Sequence, residues 1–244
     1  MEGIEIRGLT KRYGDVTAVD GLDLTVHAGE CMALLGVNGA GKTTAIRMLS
    51  CLTKPTSGDA KLLGRSIVEE PQAVKAEIAL SPQETAVAPN LTVRENLELI
   101  AGICGCGRRE AARQAGEMIA EFRLGPVEKK RAGKLSGGWQ RRLSIAMALI
   151  QQPKILFLDE PTLGLDVLAR RELWTVISAL KGRVTLLLTT HYLEEAVALC
   201  DRIAILNHGK LKALGTEAEL LAATGAKDFE TAFTMLATAE EGTV

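Results

Sequence analysis

An excess of positive charge is the first thing this chain lacks: Lys plus Arg number 29 against 30 for Asp plus Glu, a net charge of −1. No global field therefore draws it to nucleic acid or to anionic lipid. The basic clusters Arg108-Arg109, Lys129-Lys130-Arg131 and Arg141-Arg142 accordingly read as solvated helix faces. Five cysteines, odd in number and without a CxxC pair, argue against a disulfide framework and against a zinc site. Cys104 and Cys106 read as ordinary residues of a helix-end loop. The opening stretch MEGIEIRGLTKRYG carries acidic residues and lacks the apolar stretch of a secretory signal, so the expected location is cytoplasmic. The longest apolar runs, RVTLLLTTH and KILFLDEP, are strand-sized and far short of the roughly 18 apolar residues of a membrane span. Any membrane role is therefore expected to be peripheral. Internal repeats, coiled-coil heptads and low-complexity linkers are also missing.

What is present has the rhythm of an α/β protein. The first stretch, IEIRGL and then AVDGLDLTVHAGE, alternates as short antiparallel strands do. CMALLG, a Gly-rich loop and KTTAIRMLSCL then read as strand, loop and helix, ended by the turn cluster KPTSGD and followed by a short strand, DAKLLG. Helical periodicity governs TVRENLELIAGI, REAARQAGEMIAEF and GGWQRRLSIAMALI. Apolar strands return in KILFLDEP and RVTLLLTTH, alternating with VLARRELWTVISAL and LEEAVALC as a parallel sheet requires. RIAILNHGKLKALGT reads as a hairpin about Asn207 to Gly209. The expected organisation is one α/β domain over residues 1–225, with an N-terminal antiparallel β subdomain and a helical subdomain inserted at about 88–150. A tail over 226–244 follows.

The order Gly-x-x-x-x-Gly-Lys-Thr in GVNGAGKTT identifies a P-loop NTPase core. Gly36, Val37, Asn38, Gly39, Ala40 and Gly41 form a backbone wrap for phosphate. Lys42 supplies an ammonium for the β and γ oxygens, Thr43 a hydroxyl for Mg²⁺, and Thr44 completes the nucleotide-binding set as the motif opens the helix. KILFLDEP ends a buried-type strand on Asp159, suited to hold Mg²⁺ through water, and Glu160, suited to polarise the attacking water. His191 ends the next strand and reaches the same sheet edge if the two strands are parallel neighbours. With Glu194 and Glu195 it outlines a metal pair, but one His without a second ligand cluster favours a γ-phosphate contact instead.

One stretch remains unexplained by that site. KLSGGWQRRLSIAMALI places Ser136, Gly137 and Gly138 at the mouth of a helix, where free N–H groups and the dipole make a second anion site. A chain that already holds a phosphate loop has no evident use for another.

Taken in order, GVNGAGKTT, SPQ, LSGGW, ILFLDEPTLGLD and LLLTTH resemble the nucleotide-binding subunit of ABC transporters over nearly the entire chain. The resemblance implies ATP and Mg²⁺ as ligands and a head-to-tail, ATP-dependent dimer in which the LSGG loop faces the ATP held by a second subunit. Ser136 and the Gly138 backbone would then hold the partner's γ-phosphate, which gives the second loop its use. It further implies that Tyr13 stacks on adenine and that Gln83 touches Mg²⁺ and the attacking water. Glu160 becomes the catalytic base, His191 the switch histidine, and Asp166 part of the loop linking the two sites of the dimer. Val37, Trp139 and the LGLD form depart from the commonest pattern without removing a phosphate contact. Trp139 and LGLD are similar to the efflux-type branch of drug, antibiotic and ABC-2 type exporters. The implied role is ATP hydrolysis that powers export through a separate transmembrane permease docked near ETAVAPNLTVRENLEL, at the cytoplasmic face of the membrane and without nucleic acid. A P-loop GTPase would need an Asn-Lys-x-Asp string, which does not occur. The alternative is a non-transport ATPase of the same family, associated with translation or DNA repair.

Overall fold

A computed structural model of the chain describes residues 2–238. Alternating apolar residues build its first two strands, β1 (Glu2–Tyr13) and β2 (Val16–His27). Ile4, Ile6 and Leu9 pair antiparallel with Val26, Leu24 and Leu22, and all six side chains are buried on one face. The wholly buried β3 (Cys31–Leu35) leads through the Gly-rich loop into α1 (Lys42–Leu49). β4 (Ser57–Leu62) pairs with β1 and begins inside the segment expected to be only a turn. Gly58 permits this, since a Cβ there would lie 2.1 Å from the Gly8 carbonyl oxygen. The two-residue β5 (Arg65–Ser66) completes a four-stranded antiparallel sheet ordered β2-β1-β4-β5.

The short α2 (Pro71–Lys75) and β6 (Ile78–Ser81) precede the helical segment of α3 (Val93–Ile103), α4 (Arg108–Glu121) and α5 (Gly137–Leu149). α3 starts sharply because Thr92 and Glu95 form a capping box, each side chain accepting from the other's backbone N–H. Strands and helices then alternate as β7 (Ile155–Asp159), α6 (Val167–Ser178), β8 (Thr185–Thr190), α7 (Leu193–Leu199) and β9 (Arg202–Asn207). β10 (Lys210–Gly215), α8 (Glu217–Thr224) and α9 (Phe229–Thr238) end the described chain.

The second sheet is ordered β10-β9-β3-β8-β7-β6, parallel except for the β9-β10 hairpin, which turns at His208 and Gly209, both at positive φ. This sheet partitions the core. Cys31, Ala33 and Leu35 of β3 pack with the inserted helices, α6 and α7, while Met32 and Leu34 pack with α1 and the antiparallel sheet. The segment expected as a tail contains α9, with Phe229, Ala232 and Ala237 buried and the Ala237 carbonyl accepting from Asn207 Nδ2 at 2.7 Å. Residues 239–244 of that expected tail lie outside the described residues. Among the described residues no helix is long and apolar enough to cross a membrane.

Candidate active site

Parallel pairing sets Leu35 opposite Thr190 and Asp159 opposite Thr189, so the carboxyl ends of β3, β8 and β7 lie side by side. In open α/β sheets this edge is where ligands bind. The loop leaving β3 can take its path only with glycine at its ends. A Cβ on Gly36 would lie 2.3 Å from the Leu206 carbonyl oxygen, and one on Gly41, at φ 99°, would lie 2.3 Å from that of Ala18. Gly41 caps α1 without any side-chain hydrogen bond, and the first turn holds no acidic residue. Its free N–H groups and dipole therefore present a net positive cradle.

That cradle floors a cleft of about 460 Å³, lined by residues 38–44 together with Tyr13, Gln83, Glu160 and His191. The structure thus brings Asn38, Gly39, Ala40, Gly41, Lys42, Thr43 and Thr44 together with four residues that stand far from them in the chain. Gly36 and Val37 do not line the cleft, but their carbonyls accept from the buried Lys42 ammonium at 2.7 and 3.3 Å. Lys42 Nζ also lies 3.4 Å from Glu160 Oε1. Tyr13 stands at the end of β1, half exposed, with Lys11 Nζ 5.1 Å from its ring centre. Ala18 and Leu163 also line the cleft, and the motifs alone gave no sign of either.

Thr43 Oγ1 donates to Asp159 Oδ1 at 3.1 Å, and Thr189 Oγ1 donates to the same oxygen at 2.5 Å. A hydroxyl and a carboxylate meeting beside a phosphate cradle are the oxygen donors that Mg²⁺ takes, so these residues fit the ion. Glu160 is buried, in the left-handed region at φ 47°, and its N–H donates to the Thr189 carbonyl at 3.1 Å and hydroxyl at 3.0 Å. Its other carboxylate oxygen, Oε2, lies 2.8 Å from His191 Nδ1. The carboxylate is therefore fixed between an ammonium and an imidazole, a pairing that sequence spacing did not reveal.

Ser136, Gly137 and Gly138 do not line this cleft; Ser136 and Gly137 are exposed at the start of α5. Ser136 takes the N-cap position without capping, and this first turn also lacks an acidic residue. A Cβ on Gly138 would lie 3.0 Å from that of Ala169, whose N–H is accepted by Asp166 at 2.9 Å as the cap of α6. The Asp166 loop thus packs directly against the Ser136 turn.

The Arg141-Arg142 pair is no solvated face: the two residues are 3% and 6% exposed. α5 is buried on every side from Arg141 to Met147, so no solvent-facing stripe exists for them. Arg142 Nη2 donates to Glu172 at 2.7 Å, and its guanidinium lies 4.7 Å from the Trp139 ring centre. Arg141 reaches inward. Its guanidinium donates to the Pro82 carbonyl, to that of Glu160 at 2.6 Å and to that of Asp159 at 3.4 Å. Burial pulls the Arg141 guanidinium below its ordinary value, opposed by the charges of Asp159, Glu195 and Glu160. Burial likewise raises the Glu195 carboxyl, against the hydrogen bond that Trp174 Nε1 donates to it at 3.3 Å.

A mainly parallel sheet with a phosphate cradle, a buried lysine and two acidic residues at one edge defines a P-loop ATPase domain. The model of the ABC transporter family matches residues 19–163. The chain is 46% identical over 223 residues to the daunorubicin resistance ATP-binding protein DrrA3 of Streptomyces coeruleorubidus, an alignment covering 91% of this chain and 71% of that one. It is 40% identical over 219 residues to the Nod factor export ATP-binding protein I of Burkholderia lata, covering 89% and 72%. Among solved structures, an ATP-binding subunit of an ABC transporter superposes with a TM-score of 0.83 at 29% identity, covering 96% of this chain and 98% of that one. The cassette MJ0796, in a dimeric post-hydrolysis state bound to ADP and Pi, gives 0.78 at 25% identity, covering 87% and 98%. The chain belongs to the ABC transporter family, and it is an ATP-binding, ATP-hydrolysing subunit.

Proposed function

We propose that this subunit drives export of a solute through a separate transmembrane permease, and that two copies close head to tail around ATP. Relatives named for drug resistance and for Nod factor export, rather than for translation or repair, support the transport reading. The observation that carries the site assignment is the convergence of Lys42, Thr43, Asp159, Glu160 and His191 at one sheet edge.

In this reading the α1 N–H groups and Lys42 hold the β and γ phosphates, Tyr13 covers adenine, and Thr43, Asp159 and Gln83 hold Mg²⁺. Bound there, the ion would supply positive charge to offset that of the phosphate oxygens. Glu160 takes the proton of the attacking water through a carboxylate fixed by His191, and His191 also faces the γ-phosphate. Ser136 and the N–H groups of Gly137 and Gly138 serve the partner's nucleotide, because they are exposed and lie outside their own chain's cleft. The subunit then sits at the cytoplasmic face of the membrane, held there by the permease. Light scattering tests the dimer: Glu160→Gln with Mg²⁺ and ATP is expected to run as a dimer and without nucleotide as a monomer, since a ligand shared between chains stabilises their association by mass action. A monomer under both conditions contradicts the proposal.

A further inference from the structure

Arg141 lies on the helix whose first turn carries Ser136, yet its three hydrogen bonds all end on backbone carbonyls at the strand ends that carry the hydrolytic residues. Pro82 is the residue before Gln83, so that bond holds the peptide unit that carries Gln83. The bonds to Asp159 and Glu160 hold the turn in which Glu160 adopts φ 47°, a left-handed conformation that a non-glycine residue keeps only when its surroundings impose it. Thr189 fixes the N–H side of Glu160, and Arg141 fixes its carbonyl side. One helical turn on, Ser144 Oγ lies 3.1 Å from Ser81 Oγ, so α5 grips the end of β6 at two levels.

We propose that Arg141 is a positioning residue that ties the Ser136 turn to Glu160 and Gln83 of the same chain, so that seating this turn against a partner's nucleotide sets the geometry of the chain's own hydrolytic groups. The role calls for a guanidinium: its planar fork reaches carbonyls on two strand ends at once, which a single ammonium on a flexible stem does not. Arg141 acts through Glu160 and does not itself line the cleft. The inference rests on Glu160 being the base.

Four chains test it: the native protein, Glu160→Gln, Arg141→Lys and the double variant, with Arg141→Gln in reserve should the Lys variant not melt cooperatively. Arg141→Lys is expected to lower kcat roughly 10- to 100-fold, the scale on which small misplacements of reacting groups act. ATP affinity of the isolated chain should stay within about twofold, because the α1 cradle is untouched. In single-turnover hydrolysis Arg141→Lys should cost the Glu160→Gln chain clearly less than it costs the native chain, since only the part exerted through Gln83 remains. Native-like kcat in Arg141→Lys overturns the proposal. So does a loss that persists undiminished in the Glu160→Gln background, which marks a general structural role. Unchanged turnover in Glu160→Gln alone overturns the base assignment itself, a result distinct from either of these.

Discussion

The first turns of α1 and α5 both follow Gly-containing loops, and in neither does a side chain cap the free N–H groups or an acidic residue occupy the opening turn. Among the described helices of eight residues or more, the others carry a cap, an acidic first turn or both. The settings are opposite. At α1 the turn lies in a cleft beside a buried Lys42, with Thr43, Asp159 and Glu160 within reach, whereas at α5 Ser136 and Gly137 stand exposed beside the Asp166 loop. Equal dipoles with unequal surroundings teach that a helix N-terminus supplies attraction for an anion but not a site. The α1 turn has its chemistry assembled within one chain, and in the proposed dimer the α5 turn takes its chemistry from another.

The largest effect expected within the α1 site is that of Glu160→Gln, which removes the proton acceptor and should cut steady-state ATP hydrolysis by about 10² to 10⁴ while preserving nucleotide binding. Retained turnover would place the base elsewhere. Lys42→Ala comes next: losing a charged donor to phosphate should weaken ATP binding roughly 10- to 150-fold by titration calorimetry, and an unchanged affinity would detach Lys42 from the phosphates. Tyr13→Ala removes a stacking face worth about 1 to 3 kcal/mol, read as a weaker dissociation constant for ATP, and a constant equal to the native one would leave Tyr13 a mere strand end. Smallest is the effect of Ser136→Arg on the isolated chain. ATP binding should stay within about twofold of native, while the nucleotide-dependent dimer of the Glu160→Gln background disappears in light scattering. Should Ser136→Arg weaken monomer binding as much as Lys42→Ala does, the two turns serve one nucleotide and the contrast between them collapses.

The α1 site was legible in the sequence because each of its residues has a separate job at a fixed spacing, and the structure adds the reason for the glycines in the collisions at Leu206 and Ala18. The parallel sheet was legible too, since KILFLDEP and RVTLLLTTH are apolar on both faces. β6 escaped notice because four residues are too few for a period to show, and α9 because its apolar face is covered by α8, β9 and β10, packing that its own sequence does not display. Arg141 was misread because its partners are carbonyls, which no side-chain pattern displays. A signal did exist, for the run LSIAMALI beyond it is apolar around the whole helix and leaves no wet side for a charge. The contact of Glu160 with His191 depends on two strand ends meeting in space, which spacing alone does not supply.

The partition of the core by the six-stranded sheet carries a consequence for how such a subunit diversifies. Met32 and Ala33 are chain neighbours, yet one packs with α1 and the antiparallel sheet and the other with the inserted helices. Substitutions on opposite sides share few partners, so their free energies should nearly add. The helical side, which carries the expected permease-facing segment, is thereby free to accumulate change without repacking the layer beneath the phosphate loop. Away from α5, whose Arg141 holds the Glu160 turn, repacking of the helical side and preservation of the layer beneath the phosphate loop become separable histories within one chain.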